Sequence, residues 1–234
     1  MSPKRLVLFD IDGTILWGGP LWKECFLGAM AHFFPDLEFP KVSFGGKTDI
    51  QIAREMMAAM GFNEAQVEDH MHRVVDLYVE RACVAASTRS HEVSVLPGAK
   101  EIIEQLAVHP DVVLGLLTGN VRKGAHAKLS CAKLAHHFKL GVYGDDHWDR
   151  YRLPQLAVDL VQSELGLRFT GKQVVIIGDT IHDVNCGKAI GVRSIAVGTG
   201  RNVPTEELLK QNPDFYFRDL SNTFEVLQAI LEEL

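Results

Sequence analysis

The stretch Leu6-Val7-Leu8-Phe9-Asp10-Ile11-Asp12-Gly13-Thr14 decides the fold. An uninterrupted apolar run of this length fits a strand buried on both faces, as in a parallel sheet. Open α/β sheets bind their ligands beyond the carboxyl ends of such strands. Residues i and i+2 of a strand share a face, so Asp10 and Asp12 can converge on one reacting group. Two anions ~4 Å apart repel by ~1 to 4 kcal/mol at effective dielectrics between water and a protein surface, a cost that a cation relieves. Gly13 and Thr14 are turn residues, so on these residues alone an acidic turn closing a strand accounts for the pattern better than a site does.

Working outward, the chain divides by its periodicity. From about Pro97 onward, strand-like apolar runs at 112–117, 141–143, 174–177, 194–197 and 215–217 alternate with amphipathic segments. The latter predict helices at 99–107, 122–135, 154–165, 183–190, 205–210 and 220–234. With Leu6 to Phe9 this alternation predicts βαβ units and a doubly wound, Rossmann-like parallel sheet of the α/β class. Residues 16–95 break the pattern. Trp22, Phe26, Met30 and Phe33 recur at helical intervals after Pro20, and Val67, Met71, Val74 and Tyr78 form a second stripe. Thr48 with Gln51 reads as a capping box before a helix bearing Ile52, Met56 and Met60, which Gly61 is placed to end. The expectation is an inserted α-helical cap over 17–96, joined near Trp17-Gly18-Gly19 and Glu92 to Pro97, with residues 1–16 and 97–234 forming the core domain.

The 234 residues can bury a sizeable core, and 47% apolar with 23% charged residues describe an ordinary folded chain. A net charge of −6 with scattered Lys and Arg argues against a nucleic-acid surface. Cys25, Cys83, Cys131 and Cys186 form no CxxC pair, and the first hydrophobic stretch is too short for a signal peptide or membrane span. The expected setting is the cytosol, with no nucleic-acid or membrane partner.

Two further strand ends carry candidate chemistry. Leu114-Gly115-Leu116-Leu117-Thr118-Gly119-Asn120 ends in a hydroxyl, a glycine and a helix N-cap candidate, and backbone N–H groups at such a turn can hold phosphate. Taken alone, it reads better as an ordinary capping turn. Val174-Val175-Ile176-Ile177-Gly178-Asp179-Thr180-Ile181-His182-Asp183 is a buried run followed by G-D-x-x-x-D. Carboxylates so close to a strand end suit Mg2+, which prefers oxygen ligands.

The FDIDGT motif and the GDTxxD motif that follows it in order together resemble the haloacid dehalogenase-like superfamily, and the nearest pattern is its phosphoglycolate-phosphatase-like branch with a helical cap. The resemblance spans nearly the whole chain. It implies an Mg2+-dependent phosphatase acting on a small phosphorylated metabolite. Asp10 would attack phosphorus to form an aspartyl-phosphate, and Asp12 would protonate the leaving oxygen and then activate water. Mg2+ would be held by Asp10, the backbone carbonyl of Asp12, Asp179 and Asp183. Thr118, with Gly119 and Asn120, would bind the phosphate. The family also places a cation before a helix, and the sequence Asp149-Arg150-Tyr151-Arg152-Leu153-Pro154 assigns that to Arg150, with Arg152 in reserve.

Within the cap segment, Gly45-Gly46-Lys47-Thr48-Asp49 is the candidate contact to the leaving group, through the charge of Lys47; a plain interhelical turn is the competing reading. His182 and Arg201 are read as a capping or solvated histidine and an exposed loop arginine. A sugar phosphomutase of the same superfamily and a catalytically inactive phospholigand-binding protein are the alternatives. A dehalogenase is disfavoured by Asp12 and by the Gly178-Asp179 pair.

Overall fold

Strand β1 (Arg5–Phe9) is buried along its whole length, and its side chains divide between the two faces of a sheet. Val7 and Phe9 enter one apolar cluster, while Leu6 and Leu8 enter another. That division explains why the run shows no polar alternation: neither face meets water. In this computed structural model, which describes residues 4–201 and 203–232, β1 lies centrally in a six-stranded parallel sheet.

The other sheet strands are β4 (Val112–Leu117), β5 (Leu140–Val142), β6 (Val174–Gly178), β7 (Arg193–Val197) and β8 (Phe215–Phe217). A further pair, β2 (Leu16–Trp17) and β3 (Ser94–Val95), stands apart. The sheet order is β5-β4-β1-β6-β7-β8. Helices α4 (Ala99–Ala107), α5 (Arg122–Cys131) and α9 (Thr223–Leu231) pack on the Val7/Phe9 face, and α6 (Leu153–Leu165) covers the Leu6/Leu8 face. Two short helices, α7 (Ile181–Cys186) and α8 (Thr205–Leu209), complete this layer. Buried Arg5 and Arg193 donate to the carbonyls of Ile230 (3.1 Å) and Ala229 (2.7 Å), satisfying the carboxyl end of α9.

The central register positions the site. Phe9 pairs with Leu116 on β4 and with Ile177 on β6. Asp10, Thr118 and Asp179 therefore emerge together at the carboxyl edge of three adjacent strands.

Between β2 and β3 run α1 (Leu21–Phe33), α2 (Asp49–Ala59) and α3 (Glu64–Thr88). The two stripes read from sequence meet in a separate apolar cluster containing Trp22, Phe26, Met30, Val67, Met71, Val74 and Tyr78. Leu16–Trp17 and Ser94–Val95 pair antiparallel, so the two crossovers form a small ribbon where only linkers were expected. Strands of two residues carry no period-2 signal, which is why the pattern misses them.

Other local differences have physical causes. Thr48 accepts from the Gln51 N–H at 3.0 Å, but the Gln51 amide turns to Glu55 Oε1 at 2.8 Å, so the expected capping box is half made. Complete boxes form instead at Asn63–Gln66 and Thr180–Asp183. The 122–135 helix stops at Cys131, and Lys133 adopts φ 57° before a short 3-10 turn. The 183–190 helix begins at Ile181 because Thr180 is its cap, and it gives way to a 3-10 turn at Lys188–Ile190. The last predicted helix starts at Thr223; residues 233 and 234 lie outside the described residues. Among the described residues no helix is long and apolar enough to cross a membrane.

Candidate active site

Asp10 follows β1 and is 6% exposed. Its Oδ1 accepts Arg150 Nη2 at 3.0 Å, and the same guanidinium nitrogen donates to Asp183 Oδ1. Burial pushes the Asp10 carboxyl up to about 6 even though Arg150 opposes the shift. Asp179 is raised well above the ordinary range, first by burial and then by the charges of Asp183 and Asp10. Each of Asp10, Asp179 and Asp183 offers a carboxylate oxygen, and these three oxygens lie within 4.8 Å of one another.

The surrounding chain holds this cluster through hydroxyls, a backbone N–H and close-packed glycines. Thr14 Oγ1 donates to Asp179 Oδ1 at 3.1 Å. Thr180 donates to Asp183 Oδ2 from its N–H at 2.9 Å and from its hydroxyl at 2.6 Å. A Cβ at Gly13, whose φ is +88°, would fall 2.4 Å from Asp179 Oδ2, and one at Gly200 would fall 2.0 Å from the same oxygen. Both glycines are therefore required for Asp179 to sit where it does.

This donor set fits a divalent cation of the Mg2+ type. It is made of hard oxygens and concentrates negative charge in a buried place; among the described residues, the Arg150 guanidinium contacts Asp10 and Asp183 while Asp179 has only the Thr14 hydroxyl.

A second group adjoins the first. Asp12 Oδ2 accepts Asn120 Nδ2 at 2.8 Å and Lys128 Nζ at 2.7 Å. Asn120 Nδ2 also donates to the buried Thr118 Oγ1 at 2.8 Å. The structure thus brings Asp10, Asp12, Thr118, Gly119, Asn120, Arg150, Asp179 and Lys47 to one cavity of about 700 Å³, with Asp183 behind Arg150. Arg152, the reserve cation, is exposed.

The cap helices roof this cavity with Trp22, Phe26 and Tyr78. Lys47 is on its wall but is ion-paired with Glu55, so its charge is already partly answered. The loop around it is clasped to the core. Asp49 N donates to Gly119 O at 2.8 Å, Val121 N donates to Asp49 Oδ2 at 2.9 Å, and Thr48 Oγ1 donates to Trp148 O at 2.6 Å. A Cβ on Gly119 would fall 2.0 Å from the Lys47 carbonyl oxygen.

His182 lies beneath Gly46 of that loop, where a Gly46 Cβ would meet its ring at 2.5 Å. Burial, then the Arg150 charge, pushes its imidazole below the ordinary range. Arg201 stacks over Trp17, 4.8 Å from the ring centroid, at the cavity rim.

Sequence reasoning missed Lys128, and it named the loop ending at Asp49 for the charge of Lys47 without seeing the clasping role of Asp49. Lys128 sits on the buried face of α5 with Gly124, Ala125 and Leu129, so a lysine at an apolar helical position was the available signal. Asp49 had none beyond its place at a helix start.

The model of the haloacid dehalogenase-like hydrolase family matches residues 7–197. The chain belongs to that family. This haloacid dehalogenase-like hydrolase is 24% identical over 224 residues to a phosphoglycolate phosphatase of Pseudomonas fluorescens, covering 92% of this chain and 77% of that one. It is 25% identical over 233 residues to the pyrophosphatase PpaX of Bacillus pumilus, covering 97% and 98%. Among solved structures, a hydrolase from Pseudomonas syringae superposes with a TM-score of 0.70 at 18% identity, over 97% of this chain and 99% of that one. CbbY from Rhodobacter sphaeroides, solved with phosphate, gives 0.65 at 16% identity over 93% and 95%. At these identities the superpositions establish the fold. The sequence relatives place the hydrolase in the phosphatase-like branch.

Proposed function

We propose that this protein is an Mg2+-dependent phosphatase that hydrolyses a small phosphorylated metabolite through a phosphoryl group carried on Asp10. The observation that carries the reading is Arg150 joining Asp10 to Asp183, beside Asp179 and below an Asp12 held by separate partners. One carboxylate is thereby fixed as nucleophile and another, two residues on, is kept free of that network for proton transfer. We divide the chain into a core domain, 1–16 and 97–234, and a cap, 17–96.

Phosphate monoester hydrolysis is among the slowest of uncatalysed reactions, requiring accelerations up to ~10^21, so several effects must combine. Asp10 attacks phosphorus as the ester P–O bond breaks. Arg150 orients the attacking carboxylate and faces charge developing on the transferring oxygens. Thr118 and the neighbouring amides of Gly119 and Asn120 hold those oxygens. Asp12 gives its proton to the departing oxygen, then takes one from the water that attacks phosphorus and releases Asp10. Asp10, Asp179 and Asp183, with the Asp12 carbonyl, would hold Mg2+, which supplies charge neutralisation at the phosphoryl group. The cap roof excludes water from the cavity and bounds the leaving group. The four cysteines are free, which suits the reducing cytoplasm.

The test is phosphate release from a panel of phosphate monoesters with and without Mg2+. We expect turnover that chelation abolishes and Mg2+ restores. Rates unchanged by chelation, or no hydrolysis of any ester, would reject the reading.

A further inference from the structure

Lys128 occupies a helix position that the spacing of α5 assigns to an apolar residue, and its side chain is 4% exposed. Lysines are almost never buried this far without a partner. Here the partner is Asp12 Oδ2, at 2.7 Å. The same oxygen accepts Asn120 Nδ2 at 2.8 Å, whereas among the described residues nothing donates to Oδ1. The Trp22 ring lies 5.3 Å from the ammonium, so the stem and head of the lysine are confined between cap and core.

We propose that Lys128 is a positioning residue: with Asn120 it clamps one oxygen of Asp12 so that the other, Oδ1, is presented to the leaving oxygen of the substrate. This rests on the phosphatase reading above. An aspartate has two side-chain torsions to fix, and an error of ~1 Å in a reacting group can cost about 10²-fold. Two donors on one oxygen define the carboxylate plane and leave one direction for proton transfer. In the first step the proton leaves Oδ1 for the ester oxygen as the P–O bond electrons pass to that oxygen and the Asp10–phosphorus bond forms. In the second, Oδ1 accepts a proton from water as the oxygen of that water bonds to phosphorus and the Asp10–phosphorus bond breaks.

The experiment is Lys128→Met, which keeps the apolar stem and removes the charge. Its kcat/KM is measured on dinitrophenyl, nitrophenyl and phenyl phosphate. Good leaving groups depart without a proton and poor ones do not. General acid catalysis contributes ~10² to 10⁴, so we expect losses of about 10- to 100-fold on phenyl phosphate but under about threefold on dinitrophenyl phosphate. Lys128→Arg should recover part of the loss on phenyl phosphate.

Equal losses across the series, with wild-type enzyme active on all three, would overturn the proposal and leave the phosphatase reading standing. No wild-type turnover on any of them would overturn both. A structure of Lys128→Met gives a readout independent of activity: a rotated Asp12 carboxylate supports the clamp, and an unmoved one refutes it.

Discussion

The core and cap walls of the cavity are built in different ways. On the core side, carboxylates at and just beyond adjacent strand ends are fixed by charge-assisted bonds: buried ones from Arg150 to Asp10 and Asp183 and from Thr180 to Asp183, and a part-buried one from Lys128 to Asp12. On the cap side, the wall is an apolar helical cluster plus one loop held to the core through backbone groups and the side chains of Thr48 and Asp49. The strand ends cannot shift without unpairing a sheet, whereas the loop can be displaced at the cost of a few hydrogen bonds. The difference assigns chemistry to the rigid side and discrimination to the movable one.

The largest expected effect lies in the core. Asp10→Asn should lower turnover by about 10³-fold or more on every ester, because an amide cannot serve as nucleophile. Melting and circular dichroism should show an intact fold. Residual activity near wild type would break the comparison at its strongest point.

Metal removal comes next. Asp10 and Asp49 are pushed up to about 6 and Asp179 is raised well above the usual range, all chiefly by burial. A carboxyl with a raised folded-state pKa is stabilising only while protonated, so the metal-free protein should lose stability as pH rises from about 4 through about 6 for Asp10 and Asp49, with the loss continuing at Asp179. A cation at the cluster needs ionised ligands and should offset the loss in the same window. At 100 times its Kd, Mg2+ should add about 2.7 kcal/mol, or roughly 5 to 10 °C in Tm, near pH 7.5 and far less near pH 4.5. An Mg2+ shift equal at both pH values would argue against these ligands.

Gly119→Ala probes the seam. Its Cβ would sit 2.0 Å from the Lys47 carbonyl oxygen, so the cap loop must move away. A displacement of that size is expected to lower kcat/KM by about 10- to 100-fold while changing Tm by only a few degrees. Unchanged kinetics would show that the clasp is not needed for catalysis.

The smallest effect is expected at Lys47. Because Glu55 already holds its charge, Lys47→Ala should cost about tenfold or less on a polar, acidic ester and nothing measurable on phenyl phosphate. Equal losses on both esters would move Lys47 into the core machinery.

Much of this contrast was legible in the sequence, and unequally so. Asp10, Asp12, Asp179 and Asp183 stand in local motifs at the ends of apolar runs, where order along the chain determines position in space. Arg150 could be preferred over Arg152 only by resemblance, and the buried guanidinium now meets both carboxylates. The cap helices announced themselves through their apolar stripes. Lys128 and Asp49 did not, because each acts across elements: Lys128 meets Asp12 116 positions away and Asp49 meets Val121 72 positions away. The β2/β3 ribbon was invisible because a two-residue strand has no period.

The most direct test of the central claim, that the core runs phosphoryl transfer through Asp10, is a crystal structure with Mg2+ and fluoroberyllate, a mimic of the acyl-bound phosphoryl group. The account predicts beryllium bonded to an Asp10 carboxylate oxygen, with Thr118 and Arg150 on its fluorines and no adduct on Asp12. An adduct on Asp12, Asp179 or Asp183, or none at saturating fluoroberyllate with Mg2+ bound, would contradict it.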